Sequence, residues 1–170
     1  MKYRGDQVRT CNKVLDGEEV TGGADWRVIQ LNQPVTRESL TVLTSPDFPV
    51  DTELRVIGHP LGLPMKSVRN GTVRDNSAKH SFVLNIDTYE GNSGSGVFID
   101  LGGVPVVVGM LTSGSKDFVL SSQACKRSRV CEAEDCRGET ATRASAFSAW
   151  ADNPVTFVSA PQAIPQDSCS

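Results

Sequence analysis

Between about residues 26 and 120, short apolar segments alternate with glycine, proline, asparagine and aspartate. The candidate strands are residues 26–31, 54–58, 71–74, 82–86, 96–99 and 104–111. They are short and rich in Val, Ile and Phe, with turn residues between them, which favours an antiparallel barrel or sandwich over βαβ units. Pro105 stands near the start of the last segment, where a missing amide donor does least harm. The pattern therefore predicts an all-β fold.

The texture of the sequence changes after Phe118. Residues 139–151 are rich in Ala, Thr and Ser, and Phe147 and Trp150 stand three apart. Because residues three and four apart share a helical face, this stretch predicts one short helix. Residues 154–170 carry three prolines among small polar residues, which is typical of a tail with little fixed structure.

Length and charge exclude several classes of protein. The 170 residues are enough for one domain of ordinary size. A formal charge of −3 argues against a nucleic-acid partner, since such proteins usually concentrate positive charge. No run approaches the roughly 18 apolar residues of a membrane span, so no membrane partner is expected. The first six residues contain no apolar stretch and predict no signal peptide.

The sharpest chemical feature is the segment 91–96, which reads GNSGSG. A serine between glycines lies on a tight turn that exposes its hydroxyl and lets backbone N–H groups converge. An acyl-transfer nucleophile needs both of these, an accessible Oγ and an oxyanion hole. The alternative is an ordinary Gly/Ser loop between two strands, since such residues are common in turns.

This loop resembles the nucleophile loop of the trypsin-like (chymotrypsin-fold) serine peptidases, in the form typical of bacterial and glutamyl-endopeptidase-like members. The segments that carry the resemblance are 25–31 (DWRVIQL), 56–64 (VIGHPLGLP), 87–89 (DTY), 91–95 (GNSGS) and 109–114 (GMLTSG). Their order and spacing cover roughly residues 8–150. The resemblance implies two six-stranded antiparallel barrels with the active site between them.

The resemblance also assigns roles to single residues. Ser93 would be the nucleophile, the amides of Gly91 and Ser93 would form the oxyanion hole, and Asp25 would orient the catalytic imidazole. The alternative for Asp25 is a turn residue at the entry of a strand. Arg27 and Gly96 depart from the family's pattern, which usually has a small residue and a proline there.

The same resemblance predicts a pocket that binds the substrate. Asp87, six residues before Ser93, would lie at the base of the primary specificity pocket and pair with a Lys or Arg side chain. A solvated aspartate at the end of a strand is the alternative, and relatives with this loop include enzymes that prefer acidic residues. Thr112, Ser113 and Gly114 would line the pocket wall and bond to an extended substrate strand.

The general base of the triad is missing from its expected place. The family's order along the chain is His, Asp, Ser, and no histidine precedes Asp25. The only histidines, His59 and His80, lie between Asp25 and Ser93. The first belongs to the Gly-His-Pro segment, which the resemblance assigns to structure, and the second to a polar loop. We therefore expect the chain to be the C-terminal part of a peptidase, inactive or nearly so by itself.

This reading divides the chain into four segments. Residues 1–31 would be a remnant of the N-terminal barrel with the triad aspartate, and residues 32–120 the C-terminal barrel with the nucleophile. Residues 121–153 would be a cysteine-rich segment and the C-terminal helix, and residues 154–170 a flexible tail.

The cysteines favour disulfides over a metal site. The candidates are Cys11, Cys125, Cys131, Cys136 and Cys169. The spacing C-x5-C-x4-C matches no usual zinc site, so no metal or other cofactor is expected. Disulfides suit a secreted or periplasmic parent protein, and the odd count fits a partner cysteine outside this chain. The pairing is open.

Two functions follow. The first is a serine-type endopeptidase acting on peptides or proteins, in a chain that needs a further N-terminal region to complete its active site. The alternative is a non-catalytic homologue that keeps the barrel and binds a peptide as an added strand.

Overall fold

The computed structural model describes residues 8–20, 23–45, 48–121, 125–129, 136–151 and 154–155. These residues form strands and short 3-10 turns. The strands are β1 (Cys11–Glu19), β2 (Asp25–Leu31), β3 (Thr41–Leu43), β4 (Glu53–Gly58), β5 (Lys66–Asp75), β6 (Ser81–Asn85), β7 (Gly96–Leu101), β8 (Val104–Ser113), β9 (Phe118–Leu120), β10 (Lys126–Ser128), β11 (Glu139–Arg143) and β12 (Pro154–Val155). Within the described residues, no helix is long and apolar enough to cross a membrane.

Six antiparallel strands close into a barrel. Strands β11, β6, β5, β4, β7 and β8 pair in that order, and β11 pairs back to β8. Strand β3 adds to β8 in parallel, and β12 adds to β3. The expected all-β, six-stranded antiparallel barrel is therefore confirmed.

The barrel is filled by the inward-facing residues of its strands. In β4 the buried positions alternate, with Leu54 and Val56 inside, as a strand with one face on a core requires. Phe48 and Phe82 meet edge to face at 5.0 Å between ring centroids. The other core residues are Leu43, Val73, Leu84, Val97, Ile99, Val106, Val108, Leu111 and Ala141.

The predicted C-terminal helix is wrong. Residues 139–143 form β11, the strand that closes the barrel, and only two 3-10 turns follow, at Ala144–Ala146 and Ser148–Trp150. Four of the five residues of β11 are buried, all except Thr140, and its backbone pairs with both β6 and β8. This tertiary pairing outweighs the local preference of an Ala/Thr/Ser sequence. The barrel thus extends beyond residue 120, where we expected it to end.

Strands β1 and β2 form a separate antiparallel hairpin against the barrel. The Thr142 hydroxyl accepts from the Asp25 N–H at 2.9 Å and lies 3.1 Å from the Asp25 carbonyl, to which it donates. Trp26 is buried and packs against Phe147 at 6.2 Å. The Trp150 indole N–H donates to the Asp16 carboxylate at 2.9 Å. These contacts fix the hairpin to the C-terminal end of the barrel chain.

Candidate active site

Ser93 lies on an exposed turn between β6 and β7. Gly91 and Gly94 have φ of +92° and +85°, values that favour glycine because a Cβ would be strained there. The Gly94 N–H donates to the Leu111 carbonyl at 2.7 Å, which holds the turn against β8. The Ser93 hydroxyl donates to the Thr112 carbonyl at 3.2 Å. The turn therefore exposes the serine to solvent, and two hydrogen bonds hold it beside β8.

The backbone amides of this turn differ in their partners. The N–H groups of Asn92, Gly94 and Ser95 each have a backbone acceptor. Those of Gly91 and Ser93 have none among the residues that the structure describes. Amides left unsatisfied beside an exposed hydroxyl are available to stabilise a developing oxyanion.

The segment around His59 buttresses the serine turn. The Leu61 N–H donates to the Glu90 carbonyl at 2.7 Å. A Cβ on Gly91 would come within 2.8 Å of the Leu61 nitrogen. A Cβ on Gly58 would come within 2.0 Å of the Ser95 Oγ. The Gly-His-Pro segment thus packs so closely against the turn that two glycines are required at the contact.

A cavity of about 420 Å³ opens beside Ser93. Its walls are the turn itself and the loop that follows β8. The lining residues include Gly91, Ser93, Ser113, Gly114, Tyr89, Phe118, Lys116 and Glu139. Ser113 and Gly114 line this cavity, whereas Thr112 is not among the lining residues and accepts from the serine through its carbonyl. The substrate-binding role of these three residues stays a prediction.

Glu139 brings a buried carboxylate to this cavity, and sequence reasoning missed it. The residue is 8% exposed. Its Oε2 accepts from the Thr88 hydroxyl at 2.9 Å and its Oε1 from the Ser115 N–H at 3.3 Å. Burial raises the pKa of this carboxyl above its ordinary value. The two hydrogen bonds lower the pKa, but the effect of burial is larger. The sequence carried no signal for it, because we interpreted residues 139–151 as a helix and the pairing of β11 with β6 and β8 joins distant parts of the chain.

Asp87 lies elsewhere. Its side chain is exposed and lines a neighbouring cavity of about 310 Å³, together with Arg74 and Arg129. Glu139 lines both cavities. The buried carboxylate in the lining of the cavity beside Ser93 is therefore that of β11, and the predicted role of Asp87 stays a prediction.

Asp25 stands at the start of β2 and is exposed. It is attached through its backbone to Thr142, which faces Met110 in the β11–β8 ladder. Met110 is two residues along β8 from Thr112, whose carbonyl accepts from Ser93. Two residues of strand span about 7 Å. The two predicted catalytic residues thus bond to two neighbouring strands of the barrel wall, Asp25 to β11 and Ser93 to β8.

Neither histidine lines the cavity beside Ser93. The ring Nδ1 of His59 lies 3.0 Å from the Leu63 carbonyl, across the Pro60–Gly62 turn. His80 is exposed and its carbonyl accepts from the Arg143 N–H. No described residue of the cavity lining therefore offers an imidazole as general base.

The predicted disulfide residues are only partly described. Cys11 and Cys125 are exposed, and Cys136 is buried. Cys131 and Cys169 lie outside the described residues, and so does the tail after residue 155. Among the described residues, no group of three His, Cys, Asp or Glu side chains is arranged to hold a metal.

Comparison with known proteins identifies the family. Residues 3–110, more than half of the chain, match the family described as trypsin-like peptidase domain. The chain belongs to this family. The resemblance to trypsin-like serine peptidases is therefore confirmed, and membership supports a peptidase-type function in general. No curated protein matches the chain.

Proposed function

We propose that the chain provides the nucleophile, the oxyanion hole and the substrate cavity of a serine-type endopeptidase. The observation that carries this proposal is the exposed Ser93 hydroxyl with two unoccupied amides, those of Gly91 and Ser93, at the rim of a cavity. A loop that only joined β6 to β7 would need neither the unpaired amides nor the close packing against residues 58–62.

In the proposed reaction, the Ser93 Oγ attacks the carbonyl carbon of a peptide bond and its proton passes to a general base. The carbonyl oxygen becomes an oxyanion that accepts from the Gly91 and Ser93 amides. The carbon–nitrogen bond then breaks, the amine leaves with the proton, and water hydrolyses the acyl-serine by the reverse proton path. The exposed end of β8 at Ser113 is proposed to pair with the extended substrate.

The general base in this proposal is a histidine supplied by sequence outside these 170 residues. The support is that neither His59 nor His80 lines the cavity at Ser93. Asp25 is proposed to orient that histidine, because it is anchored near the stretch of β8 that contacts Ser93. Without the base, the residual rate should be roughly 10³-fold over water, from the oxyanion hole and binding.

Labelling with a fluorophosphonate probe tests the proposal, because the probe reacts with an activated serine. The chain alone should label slowly, and imidazole in solution should accelerate labelling by about 10-fold or more by acting as the base. Joining the chain to a histidine-bearing segment encoded upstream in frame should accelerate it further. Ser93→Ala should abolish the signal, and Ser95→Ala, at the partly buried serine two residues on, serves as the matched control.

Two results would contradict the proposal. Labelling of the isolated chain that disappears in His59→Ala would place the base inside the chain. Absence of Ser93 labelling under every condition would favour the second candidate, a non-catalytic peptide-binding module. That candidate is favoured by one observation: none of the described residues that line the cavity is a histidine.

An extracytoplasmic location with disulfides belongs to the same proposal. Cys136 supports it in part, because its side chain is buried where a crosslink would secure the segment before β11. Peptide mass mapping without reductant tests it, and five alkylatable thiols in the native protein would contradict it.

A further inference from the structure

The Pro60–Gly62 turn bonds to the serine loop through its backbone, because the Leu61 N–H donates to the Glu90 carbonyl at 2.7 Å. We infer that Leu61 is a positioning residue, whose N–H holds the next peptide unit so that the Gly91 N–H is directed toward the oxyanion. The inference rests on the proposed function and adds to it a residue that lies outside the lining of the cavity.

The Glu90 carbonyl and the Gly91 N–H belong to the same peptide unit. In a planar trans peptide these two groups point in opposite directions, and no described peptide bond is cis. A donor that holds the carbonyl on one side therefore fixes the N–H on the other side. The N–H that the Leu61 bond directs away has no acceptor among the described residues, and Gly91 lines the cavity beside Ser93.

Gly91 alone does not determine this orientation. Its φ is +92°, and glycine adopts negative φ about as readily as positive φ. Rotation of the peptide unit by half a turn would reverse the sign of that φ and turn the Glu90 carbonyl toward the cavity, where it would repel an oxyanion. The Glu90 N–H donates to the Asp117 carboxylate at 2.7 Å, but it belongs to the preceding peptide unit. The bond from Leu61 therefore selects between the two orientations.

The backbone of Leu61 is strained where it makes this bond. Its φ is +53°, in the left-handed region that a residue with a Cβ rarely adopts. The side chain is 51% exposed, so packing in the core does not account for the conformation. Strain of this kind persists only where the surrounding structure imposes it, and it is concentrated at functional sites. The conformation provides a backbone N–H that faces the serine loop.

Hydrogen bonds within the segment hold the turn in this form. The Leu63 N–H donates to the Pro60 carbonyl at 2.9 Å, and the Gly62 N–H donates to the His59 carbonyl at 3.2 Å. The His59 ring Nδ1 lies 3.0 Å from the Leu63 carbonyl and closes the segment from the other side. Pro60 is buried. The donor at Leu61 is therefore fixed before any substrate binds.

Fluorophosphonate labelling of the chain with imidazole as the base tests the inference. Leu61→Val places a β-branched residue at positive φ, where it is disfavoured, and should slow the labelling of Ser93 by about 10-fold. Leu61→Asn loses the same apolar side chain but tolerates positive φ, so it should stay within about 2-fold of the wild type. Leu63→Val is the matched control, because Leu63 is 49% exposed and has an ordinary φ of −68°.

Two NMR measurements on the unlabelled chain report the orientation of the peptide unit. A scalar coupling between the Leu61 nitrogen and the Glu90 carbonyl carbon exists only while their hydrogen bond is formed. The nuclear Overhauser effect between the Glu90 Hα and the Gly91 amide proton depends on Glu90 ψ, which differs between the two orientations. Both signals should change in Leu61→Val and persist in Leu61→Asn and Leu63→Val. A general loss of stability in a chain that remains folded would move neither signal.

The outcomes separate this inference from the proposed function. Equal slowing in Leu61→Val and Leu61→Asn would assign the effect to the lost side chain and overturn the inference. Unchanged NMR signals in Leu61→Val, or changed signals with labelling at the wild-type rate, would also overturn it. Absence of Ser93 labelling in the wild type would contradict the proposed function instead, and the NMR signals would still decide whether Leu61 orients the peptide unit.

Discussion

At the scale of single residues, the Glu139 carboxylate depends on the absence of a side chain at Gly114. A Cβ at Gly114 would lie 2.0 Å from the Glu139 Oε2 and 2.2 Å from Oε1. Gly114→Ala should therefore push the carboxylate away from Thr88 and Ser115 and lower the free energy of unfolding by about 1–3 kcal/mol. Urea unfolding measures this cost.

The matched background for this test is Glu139→Ala, in which the obstructing carboxylate is gone. Gly114→Ala should cost clearly less in that background, which gives the pair a measurable coupling energy. An equal cost in both backgrounds would mean that the strain arises from the backbone at position 114 and not from the carboxylate.

The raised pKa of Glu139 predicts a pH dependence of stability. Because burial raises this pKa above its ordinary 4.5, the folded state holds the proton to higher pH than the unfolded state. Stability from this group is complete below pH 4.5 and is lost as the pH rises through the folded-state value. Glu139→Gln should therefore gain stability relative to the wild type between acidic and neutral pH. Urea unfolding of both proteins at several pH values checks this, and an advantage of Glu139→Gln over the wild type that grows on acidification would contradict it.

The candidate site could be predicted in part from single residues. The glycines on either side of Ser93 predict the turn, because Gly91 and Gly94 adopt positive φ, a backbone conformation that favours glycine. The carboxylate of the cavity could not be predicted in this way. Asp87 has the expected spacing from Ser93, but strand β6 ends so that Thr88 points inward and Asp87 outward. Glu139 lines the cavity because β11 lies between β6 and β8 and pairs with both strands. These pairings join parts of the chain that are distant in sequence.

At the scale of elements, strands with a local hydrophobic pattern were predicted, whereas strands defined by pairing with distant parts of the chain were not. Strands β4, β7 and β8 have apolar inner faces long enough to stand out in the sequence. Strand β1 has no buried residue, and β3 has three residues in all, so neither leaves a hydrophobic pattern. Both are defined by backbone pairing with β2 and β8, which local sequence does not encode.

One buried threonine of the barrel bonds directly to the backbone of the β1–β2 hairpin. Thr142 is 0% exposed and its hydroxyl bonds to both the N–H and the carbonyl of Asp25. Thr142→Val keeps the shape but leaves these two groups without their partner, at a cost of about 1–3 kcal/mol. We expect hydrogen exchange of the β1–β2 amides to accelerate while the barrel amides stay protected.

The control for this prediction is Thr140→Val on the same strand, because no hydrogen bond of its hydroxyl is found within the described residues. It should leave the exchange of the β1–β2 amides unchanged. Uniformly faster exchange across hairpin and barrel in Thr142→Val would show that the hairpin is not an independent unit.

At the scale of the whole molecule, Arg143 joins the last strand of the barrel to the loop between β5 and β6. It is 3% exposed, and its guanidinium donates to the Asn76 carbonyl at 2.9 Å and to the Ala78 carbonyl at 2.9 and 3.1 Å. The same group lies 5.6 Å from the ring centroids of Phe48 and Phe82 in the core. One side chain thus connects barrel closure, a loop and the aromatic core.

Arg143→Lys should therefore destabilise the whole barrel although it keeps the charge. An ammonium cannot reproduce the planar set of donors, and hydrogen bonds to charged groups contribute about 1.5–3 kcal/mol each, so we expect a loss of about 3 kcal/mol or more.

Arg55→Lys is the matched control. The Arg55 guanidinium also lies over a ring, that of Phe98 at 5.9 Å, but its Nε has no hydrogen-bond partner among the described residues. It should cost less than about 1 kcal/mol. Because a closed barrel has no free edge from which to unravel, circular dichroism and the hydrogen exchange of the barrel amides should report one coincident urea transition in Arg143→Lys. Separate transitions, or an equal cost for the two arginines, would contradict the role of Arg143 in closure.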